Sequence, residues 1–486
     1  MNKTRPLIIA LMSLLGGCAA QGSFAPAPEP VTPPSYRNAP AEVPNTLQAN
    51  WWRIYQDPVL NHLVETVQER NPYTEVALLR VAEAQAGVQA TSADLLPNVG
   101  FGASADKSHT SVNTPLGKLL GGRTIAGKTY KLGVSASWQL DLWGRVAQAV
   151  EAAKAQAGAA EAVKRQIALV LASEVAVAYW QFRAADADHA LLTKIRDERA
   201  EAVRLGSLRL EAGLGTEQDW LDAKVELAKV EAEMSEVRVK RAMAEQELAT
   251  LMVEPVKDFR VPSDPAYRLP AIPQVAPGLP AVILARRPDL MESTQNIRAL
   301  LAVERIAETA FYPSISLTGA YGFASSQLKS AVNHSSREFS IGPLALYLPL
   351  FDAGRNQANL DAARSRYRQA VDVHQVSVLI ALREVDDALV QVEAANEQMR
   401  TLGLSLAASQ RASAVAKARF EYGQNTYQKV ASARASALAV ERSLVRSQSE
   451  GLLATVRLVA ALGGGWEGVE VKDGAKPAKD VVARSE

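Results

Sequence analysis

The sequence predicts a mainly α-helical chain that carries four membrane-length β-strands and is built from two internal repeats. Three features predict it. A constant spacing relates two long stretches of chain, and each stretch contains two runs of strict apolar and polar alternation. Each then turns to an unbroken helical period of about 62 residues, roughly 90 Å of helix.

The repeat fixes the domain organisation. "WGRVAQAVEAAKAQ" (143–156) answers "AGRNQANLDAARSR" (353–366), so that Gly144 and Arg145 return as Gly354 and Arg355, 210 residues on. Glu174 and Val175 meet Glu384 and Val385 at the same spacing, and "RLEAGLGT" (209–216) meets "RFEYGQNT" (419–426). Upstream the spacing is 216: "RNP" (70–72) answers "RRP" (286–288), and Pro97 answers Pro313. The first copy is therefore six residues longer between its proline and its Gly-Arg pair, the kind of insertion a surface loop tolerates. Repeat 1 occupies 46–262 and repeat 2 occupies 263–466.

Ahead of the repeats, residues 1–17 read as a bacterial export signal: Lys3 and Arg5, the apolar run Leu7 to Leu15, then small residues. That run is too short to cross a bilayer, which takes about 20 apolar residues. "LGGC" (15–18) resembles the lipobox of bacterial lipoproteins, which implies that Cys18, the only cysteine, is lipidated (a palmitate-bearing anchor) and becomes the new N-terminus. In lipoproteins, Ala19 after the cysteine is compatible with sorting to the outer membrane. Residues 18–45 are then lipid anchor and tether, because a proline every few positions excludes helix and sheet interior. Residues 467–486 are polar and aperiodic, the composition of a disordered tail.

Within each repeat the elements follow one order. A helix of about 24 residues leads to a β-hairpin, 97–142 in the first copy and 313–350 in the second. Alternation runs through Val99, Phe101 and Ala103, resumes from Tyr130 to Leu140, and returns at Ile315, Leu317, Gly319 and Tyr321 and at Leu344 to Leu350. Strands about ten residues long cross a bilayer when tilted. The long helix follows, rich in Ala with Glu, Lys and Arg, its small residues (Ala152, Ala153, Ala155, Ala157) allowing close helix pairing. It ends at a tip, 213–216 or 423–426, and a helix of about 37 residues runs back.

Residues Gly122, Gly127, Lys128 and Thr129 spell a phosphate-loop pattern. A working phosphate loop follows a buried strand and opens a helix. Here Thr129 leads into "YKLGVSASWQL", the clearest period-2 run of the chain, and residues 107–122 read as polar loop, so no nucleotide is expected. The five histidines are scattered, with no metal or triad spacing. No catalytic residue, cofactor or metal is expected. The 53 basic and 52 acidic side chains balance, so bulk charge points to no nucleic-acid partner.

Four transmembrane strands cannot close a barrel, whose smallest form has eight, and lipid does not tolerate open strand edges. Three copies would supply twelve strands and a ring of helical columns, a long α-helical barrel below a 12-stranded β-barrel in a homotrimer.

The lipobox, "WWRIYQDPVL" (51–60), "RRPDL" (286–290), the junctions "DLWG" and "FDAG", and "ALGGGW" (461–466), set in the doubled pattern, resemble the outer-membrane factor family. These are the TolC-like exit ducts of tripartite, RND-type pumps, and the likeness is to their NodT-type lipoprotein branch. It covers about residues 45–466. It implies a homotrimeric duct in the outer membrane of a Gram-negative bacterium, lipid-anchored and reaching into the periplasm. The duct passively conducts drugs or other toxic small molecules when a periplasmic adaptor and an inner-membrane transporter engage its helical tip. The resemblance places adaptor contact at Gly213, Leu214, Gly215 and Thr216 and at Gly423, Gln424, Asn425 and Thr426, although these glycines also serve simply to reverse the chain.

Relatives narrow the closed pore with an acidic ring just past the second tip, and at that register this chain departs, with Lys429 and Ser432. Asp219 and Asp222 of the first copy, one helical turn apart, are the acidic gate candidates: trimerised, they would favour cations. The same pair also reads as a solvated helix face. Trp51 and Trp52 read as packing of the N-terminal segment, and "RRPDL" as a helix start with Pro288 in the first turn. A periplasmic adaptor lipoprotein is the alternative, but adaptors carry one helical hairpin where this chain carries two.

Overall fold

Proline and a capping side chain set where the first two helices begin. In the computed structural model, which describes residues 32–39, 50–119, 121, 126–262 and 267–465, Asp57 precedes Pro58 and accepts from the Val59 and Leu60 amides at 2.9 and 3.0 Å. This cap opens α1 (Pro58–Arg70), and Asn71 does the same for α2 (Pro72–Ala93). Export signal, Cys18, most of the tether, Gly122 and the tail 467–486 lie outside the described residues.

After α2 the chain forms β1 (Asn98–His109) and β2 (Ala126–Leu140), then α3 (Arg145–Glu211) and α4 (Glu217–Leu251). The second half gives α5 (Pro288–Thr309), β3 (Ser314–Ser325), β4 (Arg337–Tyr347), α6 (Arg355–Glu421) and α7 (Tyr427–Ala461). Both long helices are 67 residues, about 100 Å. Both start from an aspartate at the strand-to-helix junction. Asp141 accepts from the Val146 and Ala147 amides at 3.0 and 2.8 Å, and Asp352 from those of Gly354 and Asn356 at 3.0 and 2.8 Å. Each carboxylate satisfies amides that a helix start leaves unpaired.

The strands pair antiparallel in the order β1-β2-β3-β4. Register sorts the side chains onto two faces. Phe101, Val134, Tyr321 and Phe339 lie in one row across all four strands, and Val99, Ala136, Gly319 and Ile341 in the next, making an apolar face. Gly100, Ser135, Ala320 and Ser340, then Gly102, Gly133, Gly322 and Glu338, make the opposite face small and polar. Among the described residues no element covers the apolar face: Phe339 is 76% and Ile341 86% exposed. A water-soluble sheet does not leave such a face bare.

The hairpin runs further than the sequence suggests. Lys107, Ser108 and His109 continue β1 and pair with Lys128, Gly127 and Ala126. Alternation fades there because the hairpin end leaves the apolar rows behind. Lys128 and Thr129 therefore sit inside a strand and head no helix.

The helices form a single layer. Nearer the sheet α2, α3, α5 and α6 lie side by side; towards the tips the order is α4, α3, α7, α6. Around the middle of α3, Trp180, Tyr179 and Phe182 are fully buried with Trp51, Leu60, Leu248, Ile283, Leu290 and Leu452. Each such side chain contributes about 1.5–3 kcal/mol of burial. The layer's outer helices stay apolar at their free faces: Tyr73 and Leu79 on α2, Met243 on α4, and Val373 and Leu379 on α6 are exposed.

Candidate functional site

The tips are built by one turn used twice. At the end of α3 the Gly213 amide donates to the Leu210 carbonyl at 3.0 Å and the Leu214 amide to that of Arg209 at 2.8 Å. At the end of α6, Gly423 donates to Phe420 and Gln424 to Arg419, both at 2.8 Å. Gly213 and Gly423 take φ of 69° and 72°, open at little strain only to a residue without Cβ. The turn exposes Leu214 and Gln424, while Gly215 and Asn425 are half-buried.

The two tips differ in their caps. Thr216 receives the Asp219 amide at 3.1 Å and donates its hydroxyl to the Asp219 carboxylate at 2.7 Å, whereas Thr426 makes no side-chain cap bond. Asp222 accepts from Gln218 at 2.8 Å. Asp219, Asp222, Lys429 and Ser432 are all exposed, and no side-chain bond joins the four among the described residues. Trp220, between the two acids, faces the α3 backbone at Gly206 and carries Lys224 over its ring at 4.3 Å.

What the structure adds is a row of ion pairs that staple α3 to its neighbours. Arg434 of α7 meets Glu198 at 2.8 Å, and Arg442 of α7 meets Asp188 of α3 and, at 2.6 Å, Glu233 of α4. Arg241 of α4 meets Asp186, and Arg199 meets Glu226 at 3.6 Å. Tyr427 at the start of α7 has its phenol pushed up, first by burial and then by Glu198 and Glu201. Partners lie as much as 254 residues apart, so no local pattern announces them.

At mid-height two polar clusters fix the short helices to the long ones. Asp57, besides capping α1, accepts from Tyr179 at 2.8 Å and Tyr267 at 2.6 Å, while buried Arg183 donates to Tyr179 at 2.9 Å and lies 4.3 Å over the Tyr267 ring. Arg287 of "RRPDL" reaches Asp289 at 2.7 Å, Glu384 at 2.7 Å and the Ala461 carbonyl at 3.0 Å. Burial alone would raise the Asp289 carboxyl, but the Arg287 guanidinium outweighs it and holds the group low. Trp51 and Trp52 meet edge to face at 5.9 Å, both buried, and so pack rather than line an opening.

The arrangement is a helical wall that ends in two reverse turns, and the chain is similar along nearly its whole length to known outer-membrane proteins. The chain is 29% identical over 95% of its length, and 95% of the other's, to the outer membrane protein OprJ of Pseudomonas aeruginosa. It is 28% identical to the cation efflux system protein CusC of Escherichia coli, over 87% of this chain and 90% of that one. Its fold superposes on the outer-membrane channel OprN with a TM-score of 0.83 at 28% identity, over 92% of this chain and 99% of that one. Residues 63–253 and 279–464 match the family described as outer membrane efflux protein, and the chain belongs to that family.

Proposed function

We propose that three copies of this chain form the outer-membrane exit duct of a tripartite efflux pump. The observation that carries this reading is the two-faced sheet, bare among the described residues and with β1 and β4 as its edges. In lipid such edges must be paired. Three sheets joined edge to edge give twelve strands, apolar outward and small and polar inward, continued by the paired long helices of two repeats in each chain. The exposed apolar flanks of α2, α4 and α6 are the matching helix edges.

The duct does no chemistry; family members are efflux channels. Cys18 carries the lipid anchor, and the tips, Gly213 to Thr216 and Gly423 to Thr426, meet a periplasmic adaptor that couples the duct to an inner-membrane transporter. Small toxic molecules pass outward. The gate combines the acids Asp219 and Asp222 with the staples Glu198–Arg434 and Asp188–Arg442, which hold α7 against α3 while the tip is shut. An adaptor role is disfavoured, because the likeness to channels runs along nearly the whole chain.

Disulfide trapping tests the assembly. Single cysteines placed at Gly100 on β1 and, with a short panel of registers, around Ser340 on β4 should cross-link under mild oxidation in native membranes. A ladder that stops at three chains supports the duct. Absence of any ladder, or one that runs past three, contradicts it.

A further inference from the structure

Where strands give way to long helices, a cavity of about 590 Å³ opens between the start of α3, the end of α5 and the start of α6. Its strand wall includes Gln139 and Ser314, which belong to the small, polar face of the sheet. Three guanidinium groups line it, Arg145, Arg355 and Arg366. Two carboxylates line it as well, but Asp141 and Asp352 are committed to helix amides. The Asp352 carboxyl is held low first by the Asn356 amide, with Arg355 adding a smaller pull. Arg145 and Arg366 make no ion pair among the described residues. Part of the remaining wall is aromatic and fixed: Trp143 stacks on Tyr312 at 5.2 Å and donates its indole N–H to the Pro313 carbonyl at 2.7 Å.

We propose that this cavity binds an oxyanion group, phosphate or carboxylate, carried by a molecule with an apolar body. Guanidinium forks match the two oxygens of such a group, and a rigid indole face holds the apolar part. The inference uses the duct reading only to place the cavity on the lumen side; the binding chemistry stands on the cavity itself. The oxyanion has two possible sources, a free solute in transit and a phospholipid headgroup.

The test uses the full-length, detergent-purified protein. Equilibrium dialysis with radiolabelled salicylate measures the free aromatic carboxylate, and native mass spectrometry measures phospholipid retained from the membrane. Saturable salicylate binding should weaken about tenfold or more in the Arg145→Gln, Arg366→Gln double variant and survive in part in the matching lysine variant. Phospholipid that stays on the natural protein, leaves the glutamine variant and blocks salicylate would assign the site to the headgroup. Equal salicylate binding by all three proteins, or no binding of either probe, overturns the proposal. Should the glutamine variant fail to assemble, competition on the natural protein decides: inorganic phosphate displaces salicylate if the site is real and leaves it bound otherwise. A protein that conducts ions yet binds neither probe loses this inference alone, and one that binds but does not conduct loses the duct alone.

Discussion

The Arg287 guanidinium donates to the backbone carbonyl of Ala461 at 3.0 Å, fastening the start of α5 to the last residue of α7. The first half of the chain makes the same fastening with a neutral side chain, Asn71 to the Leu251 carbonyl at 2.8 Å, between the start of α2 and the end of α4. Both donors stand just before a proline, where the chain is extended and the side chain is free to cross to the returning helix.

Arg287→Ala should lower unfolding stability by about 2 kcal/mol and Asn71→Ala by about 1 kcal/mol. The larger figure is restrained because Asp289 and Glu384 keep solvent contact when their partner goes. Arg287→Lys should recover only part, since one ammonium cannot serve three acceptors in a fixed fork. Thermal unfolding of the detergent-purified protein measures all three.

Gly322 faces Gly133 across β2 and β3, and a Cβ added to Gly322 would fall 2.7 Å from the Gly133 Cα. Gly322→Ala should therefore part the two central strands and abolish the membrane-extracted oligomer. Gly100→Ala, on the same face with nothing within 4 Å, should assemble normally. Native gels of the two variants make the comparison.

Glu304 is 1% exposed, bound to Arg364 at 3.2 Å, and burial raises its carboxyl above the ordinary 4.5. The folded protein thus holds this proton more firmly than the unfolded chain, so its contribution to stability falls as pH rises from the ordinary glutamate range through the folded value. Relative to the natural protein, Glu304→Gln should gain stability with rising pH across that window. A difference in unfolding midpoint that does not change with pH would refute the assignment.

Breaking the Glu198–Arg434 staple should loosen the tip. Glu198→Gln and Arg434→Gln should each raise conductance in planar bilayers, and the double variant should add little to either, with a coupling of about 1 kcal/mol in a double-mutant cycle of unfolding.

Much of this fold is written locally. Asp141 and Asp352 before Gly-Arg pairs, the glycines of both tips, and the strand period all act within a few residues, and all can be read along the chain. Asp186, Asp188 and Arg183 are different: in sequence they are three charges among many on a long helix, and although Arg183 also meets Tyr179 and Asp186 within α3, their cross-helix partners come only from the packing of α4, α7 and the Tyr267 segment. Asp219 combines the two cases. Its turn spacing from Asp222 is legible in the sequence, while its bond to the Thr216 hydroxyl that caps its own helix is seen only in the folded chain.

The most direct test of the duct is the mass and conductance of the membrane-extracted protein, by light scattering and then single-channel recording in a planar bilayer. The account predicts a trimer with a small, cation-preferring conductance that rises when Asp219 and Asp222 are neutralised. A soluble monomer without conductance would contradict it.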